Sequence, residues 1–522
     1  MTSTSFAGTD ARRFGDRETR SAIGLSLLLF MFAPERLTAA TPSARARELA
    51  ERAHEECAAD LVEVLADLVA FRTYRLEGVD NAVNPEFRAM TSYLQQRATA
   101  FGLDFRDEGA VVVLGLGTSA DKLGIVTHGD VQPADPARWA SDPFVLDTRS
   151  EPGRLVGRGT EDDKGPLATA LCAMRTLKLS GMPLARRIEL IVAYTEESDW
   201  DPFRAFLESY EAPELNVALD ANYPVVTAEK GWGEIHLFLP LAEDGATGGS
   251  PRLESFEGGS FLSQVPEVAS AAIAQPSDDL VRELRTAAAA DVAVSYTFES
   301  RDGVLVVQAV GRSAHSMAPW NGVNAITHLA SLLGSVRWPE SAFSRMVRLV
   351  NDLVGTGDFA DRFGDLAHEH PFMGPLTLTL ATVGRVGERL EGAISFRRPV
   401  GRSTAEVESS IARAVEAWKV ESGVADLEVE TRVFDPYLLE DAPHIPVLLD
   451  VFRHYTGIEE AEPIAIGGGT NARLLPAGVS FGPSMPGAVY TGHSEHEFIT
   501  REQLMLNLRM YTAMLAELAG AD

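Results

Sequence analysis

Short apolar runs separated by helical periodicity constrain this chain more than any other feature. Val111–Leu114, Leu123–Thr127 and Ile188–Tyr194 read as strands, and Leu167–Leu179, between two of them, reads as a helix. Strands alternating with helices point to a layered α/β sheet. In such sheets ligands collect beyond the carboxyl ends of the strands. Acids and imidazoles stand there: His128 and Asp130 follow the second run, and Glu196 and Glu197 follow the third. With Asp162, Asp220 and His493 they form the donor set suited to a pair of divalent cations. Such a pair acidifies a shared water and holds it against a carbonyl, so hydrolysis is the expected chemistry.

The rest of the chain divides around this pattern. Residues 1–42 read as a signal peptide or tail, and helical spacing of Leu49, Ala53, Leu61, Val64, Leu65 and Leu68 opens the first body, residues 43–231. After Lys230 and Gly231 the pattern becomes α+β: Val292–Glu299 and Val304–Val310 alternate as a hairpin, and Val323–Leu333 reads as a helix. Gly245–Gly259 reads as an exposed Gly/Ser-rich loop. This insertion, residues 232–434, interrupts the first body, which resumes over 435–522 and ends in a helix from Arg501 to Leu518.

Composition narrows the partners. A formal net charge of -29 argues against a surface that tracks nucleic-acid phosphates. With two cysteines, Cys57 and Cys172, each in a helical stretch, no disulfide framework or thiolate zinc site is expected. At the N-terminus Arg12, Arg13, Arg17 and Arg20 precede the apolar run Ala22–Ala33, followed by small residues Thr38, Ala39 and Ala40. That resembles a secretory signal, which implies a periplasmic or secreted protein; Asp16, Glu18, Glu35 and Arg36 fit it poorly, and a cytoplasmic protein is the alternative. The run is too short to anchor the mature chain in a membrane, and no later segment is apolar enough.

Individual motifs carry the chemistry. THGDVQP (Thr127–Pro133) separates His128 from Asp130 by one residue, which lets the acid orient the imidazole. GRGTEDDKGP (Gly157–Pro166) combines tight-turning glycines with Asp162 and Asp163 before a helix; a plain acidic helix cap is the blander reading. YTEESDW (Tyr194–Trp200) offers one glutamate as a ligand and its neighbour as a base. Asp220, in ALDANYPVVTAEKG, supplies another carboxylate, and a turn-forming role competes with it. In the insertion, His315 is placed to donate to an oxyanion, and Arg397 in FRRP to grip a carboxylate. GGGTNAR (Gly467–Arg473) lacks the ending of a nucleotide loop, and its backbone amides suit a carboxylate.

Together these segments resemble the di-zinc hydrolase family that contains the carnosinases, bacterial dipeptidase V, succinyl-diaminopimelate desuccinylase and acetylornithine deacetylase. HGDVQP, GRGTEDDKGP, WASDPF, LDANYP and AEKG look most like the dipeptidase branch. The resemblance implies a zinc-exopeptidase-like catalytic domain interrupted by a lid. It implies two divalent ions, zinc first and manganese or cobalt as alternatives. His128 and Asp220 would hold one ion, Glu197 and His493 the other, and Asp162 would bridge; Asp130 would orient His128, and Glu196 would be the general base. His496 is a second candidate for the last histidine. His315 and Arg397 would reach the scissile carbonyl and the substrate carboxylate, with Arg398 as the competing arginine, and Gly468, Thr470 and Asn471 would belong to the substrate loop. The expected activity is dipeptide hydrolysis by a monomer or homodimer. Deacylation of N-acyl amino acids is the alternative, and an inactive binding protein the remote one.

Overall fold

The structure, a computed structural model, describes residues 41–241 and 250–521. The N-terminal signal expectation falls outside these residues. Helix α1 (Ala44–Val69) is capped by the Ser43 hydroxyl, which accepts the Ala46 N–H, and it buries Leu49, Ala53, Leu61, Val64, Leu65 and Leu68 along one stripe. Helix α2 (Pro85–Phe101) starts on Asn84 and stops at Gly102, whose φ of 70° is the left-handed turn that glycine adopts without strain. Helix α3 (Lys164–Ser180) follows the acidic turn at Asp162 and Asp163 and is buried along most of its length.

Strands β1 (Asp104–Asp107), β2 (Val111–Leu116), β3 (Lys122–His128), β5 (Arg187–Ala193) and β6 (Leu215–Ala218) lie in one nine-stranded sheet; β4 (Arg154–Val156) pairs separately with Phe498–Thr500. In the sheet the order runs β1-β2-β5-β3-β6 and continues through Gly478–Ser480, Val226–Glu229 and Tyr437–Leu438. β3 runs parallel to both β5 and β6, with His128 level with Ala193 and Val126 level with Ala218. Three chain ends therefore leave the sheet side by side on the same edge, and they carry His128, Glu196 with Glu197, and Asp220.

Burial on both faces fixes this register. Along β2, Val112 and Leu114 enter the core shared with α1, α3 and the C-terminal helix Arg501–Ala519, while Val111 and Val113 enter a smaller core with Phe203, Ala472 and Leu475. A slip of one residue would exchange the two sets, so register is strongly specified.

The second sheet has eight antiparallel strands. Its order is Ser295–Arg301, Val304–Val310, Val268–Ala274, Arg252–Gly258, Thr377–Val386, Arg389–Arg398, Gly231–Pro240 and Glu428–Val433. Helices Asp278–Ala290, Ala325–Gly334, Ala342–Leu349 and Thr404–Ser422 share its separate core, which includes Leu284, Leu329, Met346 and Ile411. One reading is corrected here. Arg252–Gly258, part of the stretch expected to be a loop, is a strand within this sheet. An irregularity between Leu253 and Ser255 breaks the two-residue alternation, so the buried pair Leu253 and Phe256 stands three apart and the strand signal is lost.

Leu171 is fully buried in α3, between the sheet and its neighbouring helices. Leu171→Ala is expected to lower stability by about 2–5 kcal/mol through lost burial and a residual cavity. A lower urea midpoint with an unchanged slope is the check.

Candidate active site

Asp162 is the centre of the site. One of its oxygens lies 2.8 Å from His128 Nε2, and the other lies 3.0 Å from His493 Nε2. Around this axis, Asp220 Oδ1 is 3.7 Å from His128 Nε2, and Glu197 Oε2 is 2.9 Å from His493 Nε2. Two sets of donor atoms each cluster within 4.8 Å: His128, Asp162 and Glu197, and His128, Glu196 and Asp220. Side chains from points hundreds of residues apart thus converge as donors. His496 is instead paired with Glu151 on the surface.

A cation fits this set on grounds internal to the structure. Glu197 Oε1 is buried and has no hydrogen-bond partner. Burial, then the charges of Asp162 and Glu197, push Asp220 up to about 6 against the pull of His128. Burial and the Asp220 charge likewise raise Glu196 well above the carboxylate range. For Asp162 burial works the other way from its two imidazole partners, which win and hold it low. His493 is disfavoured as a cation by burial, yet Glu197 and Asp162 raise it to about 11. So many buried acids around two imidazoles form a site that lacks positive charge, and divalent ions supply it.

A layer of hydrogen bonds positions these donors. The Glu497 carboxylate accepts the N–H groups of Glu161 and Asp162 at 3.0 and 3.1 Å and is paired with Arg158 at 2.8 Å. Asp163 accepts the His128 N–H at 3.0 Å. The Asp130 carboxylate accepts the N–H groups of Glu196 and Glu197 at 3.2 and 3.0 Å, and its backbone carbonyl lies 3.0 Å from His128 Nδ1. Asp130 therefore fixes the turn bearing both glutamates as well as the imidazole. Gln132 donates to Glu197 Oε2 at 3.0 Å, and the Tyr490 hydroxyl donates to Asp162. Gln132 stands inside the Thr127–Pro133 motif and Glu497 directly follows the candidate His496, whereas nothing in the sequence marks Tyr490.

The donors open into a cavity of about 280 Å³ whose walls come from both sheets' bodies. His315, Met317 and Arg397 form one side, and Gly468, Gly469 and Thr470 another. Gly467 is necessary there, because a Cβ would lie 2.8 Å from that of Met317. His315 Nδ1 accepts the Met317 N–H at 3.1 Å, which leaves Nε2 to carry the hydrogen. Burial and the nearby Arg397 and His493 charges lower His315 to about 4, so it stays neutral at ordinary pH. Arg397 has a buried Nε without a partner. Arg398, by contrast, is fully buried and bonded to Phe434, Arg402, Thr404 and Asp435, a structural tie. Thr470 spends its hydroxyl and its N–H on Glu229. Asn471 is buried with its amide unpartnered and is not among the residues that line this cavity.

Comparison with known proteins places the chain in a family. The profile of Peptidase family M20/M25/M40 matches residues 124–517. A relative from Bacillus subtilis (strain 168), "Putative dipeptidase YtjP", is 32% identical over 412 residues, 77% of this chain and 84% of that protein. Beta-Ala-Xaa dipeptidase of Lactobacillus delbrueckii subsp. lactis is 27% identical over 485 residues, covering 90% of this chain and 98% of its own. Human carnosine dipeptidase 1 shares the fold with a TM-score of 0.55 at 15% identity, over 91% of this chain and 99% of that one. The Saccharomyces cerevisiae di-peptidase Dug1p does so at 0.53 and 13%, over 91% and 98%. This chain belongs to peptidase family M20/M25/M40, whose members are metallopeptidases that use divalent metal ions.

The buried acids give a testable sign. In the metal-stripped protein, the raised Asp220 binds its proton more tightly folded than unfolded, and so does Glu196. Their contribution to stability is then fully present below 3.8 and is lost as pH rises through about 6. The thermal midpoint of stripped protein should decline across that interval, and added zinc should flatten the decline.

Proposed function

We propose that this protein is a di-zinc exopeptidase that hydrolyses dipeptides. The observation that carries the reading is Asp162 set between His128 and His493, beside Glu196 and beneath His315 and Arg397. His128 and Asp220 would hold one ion, Glu197 and His493 the other, and Asp162 would touch both. Zinc suits this mixture of imidazole and carboxylate donors. When bound, the ions supply Lewis-acid polarisation of the scissile carbonyl and an acidified water.

The protein's own residues supply the rest. Glu196 accepts a proton from the attacking water on its carboxylate and returns it to the leaving nitrogen. Its raised proton affinity suits it to carry that proton between the two steps. His315 presents Nε2–H to the oxygen on which negative charge develops, and its neutrality lets it act as a hydrogen-bond donor without repelling the cations. Arg397, buried and unmatched at Nε, receives the substrate's carboxylate, with the backbone of Gly468 and Gly469 nearby. A small cavity of about 280 Å³ limits the substrate to a short peptide. Two matched relatives bear dipeptidase names, which favours peptide hydrolysis over deacylation of N-acyl amino acids.

Glu196→Gln should lower kcat by about 10²–10⁴-fold while the protein retains its bound zinc, because the base is lost and the ligands are not. His493→Ala should lose zinc, whereas His496→Ala should keep it; elemental analysis of the purified variants distinguishes them. On a panel of dipeptides and N-acetyl or N-succinyl amino acids, the dipeptides should be cleaved fastest. Faster turnover of the acyl compounds would replace this reading with the deacylase one.

A further inference from the structure

Helices α1 and α3 pack together in the main core, and both of the chain's cysteines are buried there. Cys57 on α1 is 2% exposed and Cys172 on α3 is 0% exposed. Cys57 Sγ lies 3.5 Å from Thr176 Oγ1 and 4.0 Å from Arg175 Nη1. Those side chains stand one turn beyond Cys172 on the same helix, so Cys57 sits directly over the turn that Cys172 begins. The Thr176 hydroxyl also donates to the Cys172 carbonyl at 3.1 Å, so the Cys57 sulfur lies against the turn that carries Cys172. The proposed catalytic chemistry uses neither. Arg175 is also paired with Asp60, and both side chains are partly exposed, so polar groups continue from Cys57 to the surface.

We propose that Cys57 and Cys172 are a redox-active dithiol that a hydroperoxide converts into an intramolecular disulfide, tying α1 to α3. Cys57 is the attacking sulfur. The neighbouring Cys172, acting against burial and helped by Thr176 and Arg175, draws its thiol down to about 6. Cys172 is held well above the thiol range by the neighbouring Cys57 and by burial, so it remains protonated until it reacts. The Cys57 thiolate attacks one oxygen of hydrogen peroxide, the O–O bond breaks, and hydroxide leaves to give a sulfenic acid. The Cys172 sulfur then attacks the Cys57 sulfur, the S–O bond breaks, and the departing hydroxide takes up the Cys172 proton as water. The first hydroxide takes up the proton that Cys57 released on becoming a thiolate, so two electrons pass from the sulfur pair to the peroxide and one disulfide and two waters result. Water-sized peroxide suits a pair this buried better than a bulky disulfide reagent does. The product closes a long loop between the first helix and the helix that follows the Asp162 turn, which limits the freedom of the unfolded chain.

Zinc-loaded full-length protein is treated with hydrogen peroxide, denatured, alkylated and weighed intact. The expected result is a loss of about 2 Da with neither cysteine alkylated, reversed by dithiothreitol. A peptide map should show Cys57 linked to Cys172 within one chain. In Cys172→Ser, a sulfenic-acid trap should label Cys57; in Cys57→Ser, Cys172 should stay unlabelled. Full alkylation of both thiols after peroxide, or linkage only between separate chains, would overturn the proposal. Because the wild-type measurement decides this, a variant that folds poorly does not.

Discussion

Like charge gathered out of water is the constraint on which the rest of this structure depends. Asp162, Glu196, Glu197 and Asp220 crowd around two imidazoles at the edge of a parallel array of strands, and isolated burial of such ions is costly. Their positions persist because surrounding groups dictate them. Glu497 holds the Asp162 turn through two backbone N–H groups and is itself anchored by Arg158. Asp130 does the same for the Glu196–Glu197 turn. Repulsion that would push these side chains apart is thereby available for binding cations.

The strand register turns this local chemistry into a shared site. β3, β5 and β6 end together because each interleaves residues into cores on both faces of the sheet. The C-terminal segment reaches the same edge by pairing Phe498–Thr500 with β4, which brings His493 and Glu497 against the Asp162 turn. His493 occupies a backbone φ of 65°, in the left-handed region that few non-glycine residues adopt, in the turn that aims its ring at Asp162.

The inserted body supplies the cavity wall opposite the acidic cluster. Arg397 enters the cavity from it, His315 enters from the small ladder that Ala314–His315 makes with Gln264–Val265, and Met317 closes against Gly467 where no larger residue fits. Trp200, Trp232, Ile466 and Tyr490 also line the cavity, which gives the substrate space an apolar wall beside its charged floor. A charged reaction centre in such a space is shielded from water, and electrostatic contacts there are strong.

Much of this was legible in the chain itself. Strand and helix alternation indicated the α/β body, and spacing placed His128, Asp162, Glu196, Glu197 and Asp220 at element ends, because hydrophobic periodicity and turn-forming residues act locally. The sequence left open Arg397 against Arg398 and His493 against His496. Tertiary contacts separate them: Arg398 is consumed by four partners and His496 by Glu151, while Arg397 and His493 face the cavity. The strand Arg252–Gly258, the Tyr490 hydroxyl on Asp162 and the packing of Cys57 against the Cys172 turn were also beyond it. Each depends on a bulge or on packing between distant segments, and nearest-neighbour sequence patterns hold no record of which distant surface a side chain will meet.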